Sequence, residues 1–330
     1  MTQKKPKIVF FGTPEFAVAS LDRLVREGAD IAAVVTMPDK PAGRGHKMLH
    51  SAVKTYALDH GLPLLQPVKL KDEEFVEALR RIGADLFIVI AFRMLPEVVW
   101  TMPPLGTFNL HASLLPRYRG AAPINRAVMN GDTETGVTTF FLKHEIDTGD
   151  VIRQEKISIG PDENAGSVHD RLMALGAELT ADTVARIMAG DLRPMPQDEM
   201  MEGCEPCAAP KIFKETCRVD WNASAAELHN FVRGLAPYPA AWTELVAGDA
   251  PEDTPPLTTL KLIKARPAKD ARALAPGEVD IIGDSRLLIG TGSDREALEI
   301  LELQPSGKRT MTAEAFLRGF RRPEGSLRVR

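Results

Sequence analysis

The chain has 330 residues, a formal net charge of −4, 44% hydrophobic residues and 26% charged residues. Those values suit two soluble globular domains and exclude a polycation, so nucleic acid would have to meet a local basic patch. The run Ile8–Phe11 is too short for a signal segment and no stretch is long enough to span a bilayer, so the chain reads as cytoplasmic.

Three cysteines, Cys204, Cys207 and Cys217, do not make a disulfide framework. Cys204-x-x-Cys207 has the spacing of a zinc knuckle, but no second pair lies near it. Cys217 and His229 are irregularly placed. We read these as cysteines of a reducing compartment and expect no metal.

In chain order, Lys7–Gly12 is a short apolar strand. Thr13 and Pro14 then read as the N-cap and first position of a helix carrying Phe16, Ala17, Leu21, Leu24 and Val25. Ile31–Thr36 is a second strand. Ser51 opens a helix over Ala52–Leu58, and Gly61-Leu62-Pro63 leads to Leu64-Leu65. A helix follows at Asp72–Ile82, then the continuous apolar run Asp85–Ile90, of the parallel-sheet type. Thr107–His111 is a strand, Ala122–Met129 a helix and Val137–Leu142 a strand. This alternation predicts an α/β open, mostly parallel sheet with helices on both faces.

A helical pattern then runs from Ala165 to Met188. Residues 191–216 lack periodicity and are rich in Pro, Met, Cys and acidic groups. Beyond them, Leu257–Ala265, Val279–Ile282, Arg286–Gly290 and Leu298–Leu303 are short strands separated by Gly and Pro clusters, the texture of a small β-barrel. The expected division is a sheet domain over 1–190, a linker over 191–210 and a β-barrel over 211–330.

The segment Leu105–Gly120, LGTFNLHASLLPRYRG, carries the first chemistry. Alternation along a strand puts Thr107, Asn109 and His111 on one face. Polar side chains near the end of a buried strand are either hydrogen-bonded or used, because leaving them unpaired is costly. Ligands of open α/β sheets bind outside the carboxyl ends of the strands. On the pair alone, local backbone satisfaction and catalysis both stand. The second polar segment runs from Phe140 to Asp150, where Asp147 and Asp150 flank a Gly-containing turn; by itself it reads equally as a surface loop.

Together the two segments are distinctive. LHASLLPRYRGAAPINRAVMNGDTETGVTTFFL followed by IDTGDVI resembles the folate-dependent formyltransferases. PDKPAGRGHKM, from Pro38 to Met48, resembles the basic insertion loop of the methionyl-tRNA branch of that family. FFGTPEFA, AAPKIFKETCRVDWNASAAELHNFVRGLAPYPAAW and QPSGKRTMTAEAFLRG resemble its opening turn, its entry to the C-terminal domain and its end.

The resemblance implies a Rossmann-like sheet of the formyltransferase type with an OB-like barrel. It also implies transfer of the formyl group of 10-formyltetrahydrofolate to the methionyl amine of initiator methionyl-tRNA. Carried over residue by residue, Asn109, His111 and Asp147 are catalytic, and Ser113, Leu114, Leu115 and Pro116 touch the folate, with Phe92, Arg93 and Met94. Lys40, Arg44 and Lys47 face the tRNA. Folate enters as a co-substrate, with no tightly bound cofactor and no membrane, and the protein is expected to be a monomer.

From Pro305 to Arg330 the tail holds seven basic and two acidic residues, and Lys308 and Arg309 join the tRNA set. Two departures from the family stand out. Ala91-Phe92-Arg93-Met94-Leu95-Pro96 lacks the usual Gly, and Glu145-Ile146 replaces a Gly-Leu before Asp147. A formyltransferase for glycinamide ribonucleotide or a nucleotide sugar would share the catalytic elements but not the insertion loop or the C-terminal domain. A dinucleotide-binding protein is opposed by the first turn, Gly12-Thr13-Pro14-Glu15-Phe16, which is not G-x-G-x-x-G.

Overall fold

The structure is a computed structural model that describes residues 5–42, 47–201, 207–251, 253–269 and 272–330. In chain order its elements are β1 (Lys7–Gly12), α1 (Glu15–Arg26), β2 (Asp30–Val35), the hairpin β3 (Lys40–Ala42) and β4 (Lys47–Leu49), α2 (Ala52–Asp59) and β5 (Leu64–Leu65). Then come α3 (Glu73–Ile82), β6 (Leu86–Ile90), α4 (Glu97–Trp100), β7 (Thr107–His111), β8 (Arg119–Gly120), α5 (Pro123–Met129), β9 (Glu134–Phe141), β10 (Val151–Ser158), α6 (Ala165–Ala189) and β11 (Ala208–Ala209). The rest is α7 (Ala225–Leu235), β12 (Ala241–Ala247), β13 (Thr258–Lys269), β14 (Glu278–Ile282), β15 (Arg286–Gly290), β16 (Glu296–Pro305), β17 (Met311–Thr312), α8 (Ala313–Gly319) and β18 (Leu327–Val329).

Two compact units divide the chain. The first holds residues 1–123, 134–157 and 169–209; the second holds 124–133, 158–168 and 210–330. In the first unit a seven-stranded sheet runs in the order β10-β9-β7-β6-β1-β2-β5. The β2–β5, β1–β2, β1–β6 and β6–β7 pairings are parallel, and β9 lies antiparallel to β7. β1 and β6 are nearly continuous apolar runs because both of their faces are covered. On one face, Val9, Phe11, Phe87 and Val89 pack with Phe75, Val76 and Leu79 of α3. The strongly amphipathic spacing of α3 turns those apolar residues inward, and Gly83 ends the helix in the left-handed region at φ 58°.

α1 begins one residue later than its sequence suggests. Pro14 occupies the N-cap with an extended ψ of 176°, and the Thr13 hydroxyl finds no partner among the described residues. Ser51 does cap α2, accepting from the Lys54 N–H at 3.0 Å. On the far side of the site, Gly176 lets α6 lie directly on β7. A Cβ there would come within 2.7 Å of the Leu110 side chain.

In the second unit a sheet in the order β13-β12-β18-β14-β15-β16 closes through the β13–β16 ladder into a six-stranded barrel, with β17 appended to β16. Its interior is built from Leu245, Leu260, Leu262, Leu287, Ile289, Leu298 and Ile300, with Val232 and Leu235 of α7 and Phe316 of α8 packed on them. Ser224 and Glu227 form a reciprocal capping box that starts α7. The expected mostly parallel sheet and C-terminal barrel are therefore both present.

Candidate active site

β7 ends in the centre of the first unit's sheet, between β6 and β9. Asn109 and His111 lie in register with Phe140 and Thr138 of β9. His111 is buried and meets Phe140 edge to face, at 6.5 Å between ring centroids. Its Nε2 lies 2.8 Å from the carbonyl oxygen of Tyr118. A carbonyl only accepts, so Nε2 carries the hydrogen and Nδ1 carries the lone pair of the neutral ring. Nδ1 faces Oδ2 of Asp147 at 3.9 Å, too long for a hydrogen bond but close enough for attraction once the ring is charged. Among the described residues, no protein group is hydrogen-bonded to the Asn109 amide, and the side chain is half-buried.

Asp147 arrives from a tight turn between β9 and β10. It sits in the left-handed region at φ 56°, which Asp tolerates better than most residues. Its Oδ2 accepts from the Gly120 N–H at 2.9 Å. Gly149 is required two residues on, because a Cβ there would fall 1.6 Å from the Phe141 carbonyl oxygen. Asp150 pairs with Lys143 at 2.7 Å.

The sequence did not single out Gln197. It lies in a single 3-10 turn, Gln197–Met200, and is 2% exposed. Its Nε2 donates to the carbonyls of Asp147 (2.9 Å) and Gly149 (2.8 Å). Its Oε1 accepts from Nε and Nη2 of Arg119 at 2.9 and 2.7 Å. β8, which carries Arg119 and Gly120, pairs in parallel with β11.

The Ser113–Pro116 segment is a tightly organised loop just beyond β7. The Ser113 hydroxyl donates to the Arg117 carbonyl at 2.7 Å and is thereby used within the loop. Thr138 donates to the Ser113 carbonyl at 2.6 Å, and Gln154 donates to the Leu115 carbonyl at 2.7 Å. Leu115 and Pro116 are buried, and Leu114 is half-buried.

After β6, Ala91 takes φ 47°. Phe92 packs on Phe11 at 5.8 Å, the Arg93 guanidinium donates to the carbonyls of Pro67 and Val68 at 2.7 and 2.8 Å, and Met94 is 70% exposed.

Arg44 lies outside the described residues, as do the side chains of Lys40 and Lys47, whose backbones form the β3–β4 hairpin. The stem of that hairpin is anchored. Asp39 accepts from Lys54 Nζ at 2.5 Å and from Gln66 Nε2 at 3.0 Å, and these hydrogen bonds, the Lys54 one foremost, hold its carboxyl below the usual carboxylate range. In the second unit Lys308 and Arg309 are exposed, whereas Arg322 pairs with Asp284 at 3.0 Å and Arg330 with Glu244 at 2.9 Å. Cys204 lies outside the described residues; Cys207 and Cys217 are free thiols, and no His/Cys/Asp/Glu cluster of metal-binding size occurs among the described residues.

Comparison with known proteins finds two matching family models. A model of the formyl transferase family matches residues 6–184, and one of the formyl transferase C-terminal domain matches residues 211–321. Among solved structures, HypX from Aquifex aeolicus in complex with tetrahydrofolic acid superimposes with a TM-score of 0.60 at 20% identity, over 98% of this chain and 51% of that one. The sugar 3N-formyl transferase WlaRD does so with a TM-score of 0.61 at 18% identity, over 93% of this chain and 100% of that one. The fold is thus that of formyl-transferring enzymes.

Full-length relatives narrow it further. The methionyl-tRNA formyltransferase of Bacteroides fragilis is 54% identical over 322 residues, 97% of each chain. That of Bacteroides thetaiotaomicron is 53% identical over 325 residues, 98% of this chain and 99% of its own. The chain belongs to the formyl transferase family, on its methionyl-tRNA formyltransferase branch.

Proposed function

We infer that this protein transfers the formyl group of 10-formyltetrahydrofolate to the free amine of the methionyl moiety of initiator methionyl-tRNA. The product is N-formylmethionyl-tRNA for translation initiation. The observation that carries the chemistry is the position of the His111 ring, with Nε2 on the Tyr118 carbonyl and Nδ1 toward Asp147, two residues along β7 from Asn109.

The amine nitrogen attacks the formyl carbon and its C=O becomes a tetrahedral oxyanion. The Asn109 amide, which no described protein group engages, donates to that oxyanion. Nδ1 of His111 takes the proton released by the amine, and the imidazolium so formed faces the Asp147 carboxylate. As the C–N10 bond breaks, the proton passes to N10 of the departing tetrahydrofolate, so no charge is left on the enzyme. The Gly120 N–H keeps Asp147 aimed at the ring. Ser113, Leu114, Leu115 and Pro116, with Phe92, Arg93 and Met94, line the folate's side of the site. The B. fragilis relative's name and the tetrahydrofolic acid bound to HypX support the two substrates.

Lys40, Arg44 and Lys47 of the insertion hairpin, and Lys308 and Arg309 of the second unit, meet the tRNA. The protein acts as a cytoplasmic monomer; no helix among the described residues is long and apolar enough to cross a membrane. The working domain division is 1–190, 191–210 and 211–330. The test is formylation of charged initiator tRNA with 10-formyltetrahydrofolate as donor, with uncharged tRNA and a nucleotide amino-sugar as controls. Formylation of the sugar and not of the charged tRNA would overturn the reading.

A further inference from the structure

Gln197 is separated by 50 residues from Asp147 and by 78 from Arg119, yet it joins the two. Every hydrogen-bonding capacity of its amide is taken up: two N–H donors go to the carbonyls of Asp147 and Gly149, and two acceptor positions go to the Arg119 fork. Of the uncharged side chains of this length, only Gln offers two donors and two acceptors from one planar group. The two carbonyls it holds are Asp147's own and that of Gly149 two residues on, in the turn where Asp147 takes φ 56°. Arg119 immediately precedes Gly120, whose N–H is the donor to Asp147 Oδ2. Gln197 therefore ties together the backbone and side-chain anchors of one carboxylate, from a buried position where an unmade bond is expensive.

We propose that Gln197, backed by Arg119, is a positioning residue for formyl transfer: it holds the Asp147 turn so that the carboxylate faces His111 Nδ1. Gln197 touches no reacting atom and acts through Asp147. The inference rests on the reading of Asp147 given above.

The experiment is a double-mutant cycle between residues 197 and 147, followed by single-turnover formylation and steady-state kinetics on the full chain. Gln197→Glu keeps the volume and the Arg119 fork but sets a carboxylate oxygen against two carbonyl oxygens. Its kcat is expected to fall about 30-fold or more, with KM for the folate and the tRNA within about twofold. Placed on Asp147→Asn, the same change should lower kcat by less than about threefold, because residues acting as a unit are non-additive. Gln197→Ala should behave likewise. If it fails to fold, as read by near-UV circular dichroism, Gln197→Glu and Arg119→Lys decide.

A kcat within about threefold of wild type in Gln197→Glu, or a full second loss on top of Asp147→Asn, would overturn the proposal. An Asp147→Asn enzyme with the wild-type rate overturns the catalytic reading and this inference with it. An impaired Asp147→Asn beside an indifferent Gln197→Glu overturns this inference alone.

Discussion

The two units place their polar groups differently. At the carboxyl end of β7, His111, Ser113, Thr138 and Gln197 are all buried, and each is tied to a carbonyl of the surrounding loops. In the barrel a gap of about 10 Å³ between Leu245, Leu260, Val279, Ile289, Phe316 and Val329 holds no polar side chain, while the buried Thr243 and Glu299 are met by the side chains of Trp221 and of Arg286 and Arg266. Lys308 and Arg309 are exposed. Buried polar side chains are stable only as a satisfied network, so they collect where a reaction needs preorganised donors and acceptors. A surface that meets a polyanion needs only exposed charge. The contrast matches the proposed reading, with chemistry in the first unit and tRNA contact in the second.

That division is broken or sharpened by substitutions on each side. The largest effect is expected at the strand end. His111→Ala should lower kcat by about 10³-fold, and Asn109→Ala by about 10²–10³-fold, at unchanged secondary structure by circular dichroism. A near-wild-type rate in either would remove the chemistry from β7. Asp147→Asn, which removes charge and little volume, should lie within about tenfold of His111→Ala across pH 6–8.

Arg44 belongs to the first unit's sequence but is assigned to the tRNA, so it tests whether the contrast is one of units or of roles. Arg44→Ala should lower kcat/KM for methionyl-tRNA by about 10–100-fold, and Arg44→Lys should recover part of that, since an ammonium lacks the planar fork. Folate affinity by titration should be the same in both. Equal losses in folate binding and tRNA turnover would move the loop to the folate site.

On the barrel, the double charge reversal Lys308→Glu with Arg309→Glu should raise KM for the tRNA by about tenfold at low salt and leave kcat alone. The difference should shrink as salt is raised, because released counterions supply that part of the affinity. A fall in kcat at saturating tRNA would mean the barrel enters the chemistry.

The smallest effect concerns barrel stability. Glu299 is nearly buried and accepts from Arg286 at 2.8 Å and Arg266 at 2.9 Å. The hydrogen bond from Arg286 chiefly holds its carboxyl below the ordinary value of 4.5, against desolvation. A folded value depressed in this way contributes stability that is full above the unfolded value and lost as pH falls through the folded one. Glu299→Gln should therefore cost about 1 kcal/mol at pH 7, discounted for the exposed arginines, and next to nothing below that lower value. Thermal unfolding at the two pH values measures it; a pH-independent difference would mean volume, not charge, matters at this position.

Much of this was legible in the chain. β1 and β6 are apolar runs whose two covered faces leave a nearly unbroken signal, and α3 declares itself through its spacing and Gly83. The edge strand β10, VIRQEKIS, went unread because its outer half is polar and pairs on one side only. β12 and β18 were missed as well. β18 is three residues long, and its partners, β12 and β14, are remote in sequence. Thr13 was read as a helix cap, yet the chain turns one residue later, at Pro14.

Local pattern by itself determined the alternating α/β half, the β-rich half and the strand face shared by Asn109 and His111, since periodicity of two along a backbone needs no knowledge of neighbours. Asp147 was marked by resemblance alone, because an Asp beside a Gly in a turn is ordinary. Only the tertiary structure decided that this turn comes to within 3.9 Å of His111 and that Gln197 spans 50 residues to hold it. A side-chain amide on a 3-10 turn leaves no periodic trace in the sequence; its meaning lies entirely in which distant carbonyls it reaches.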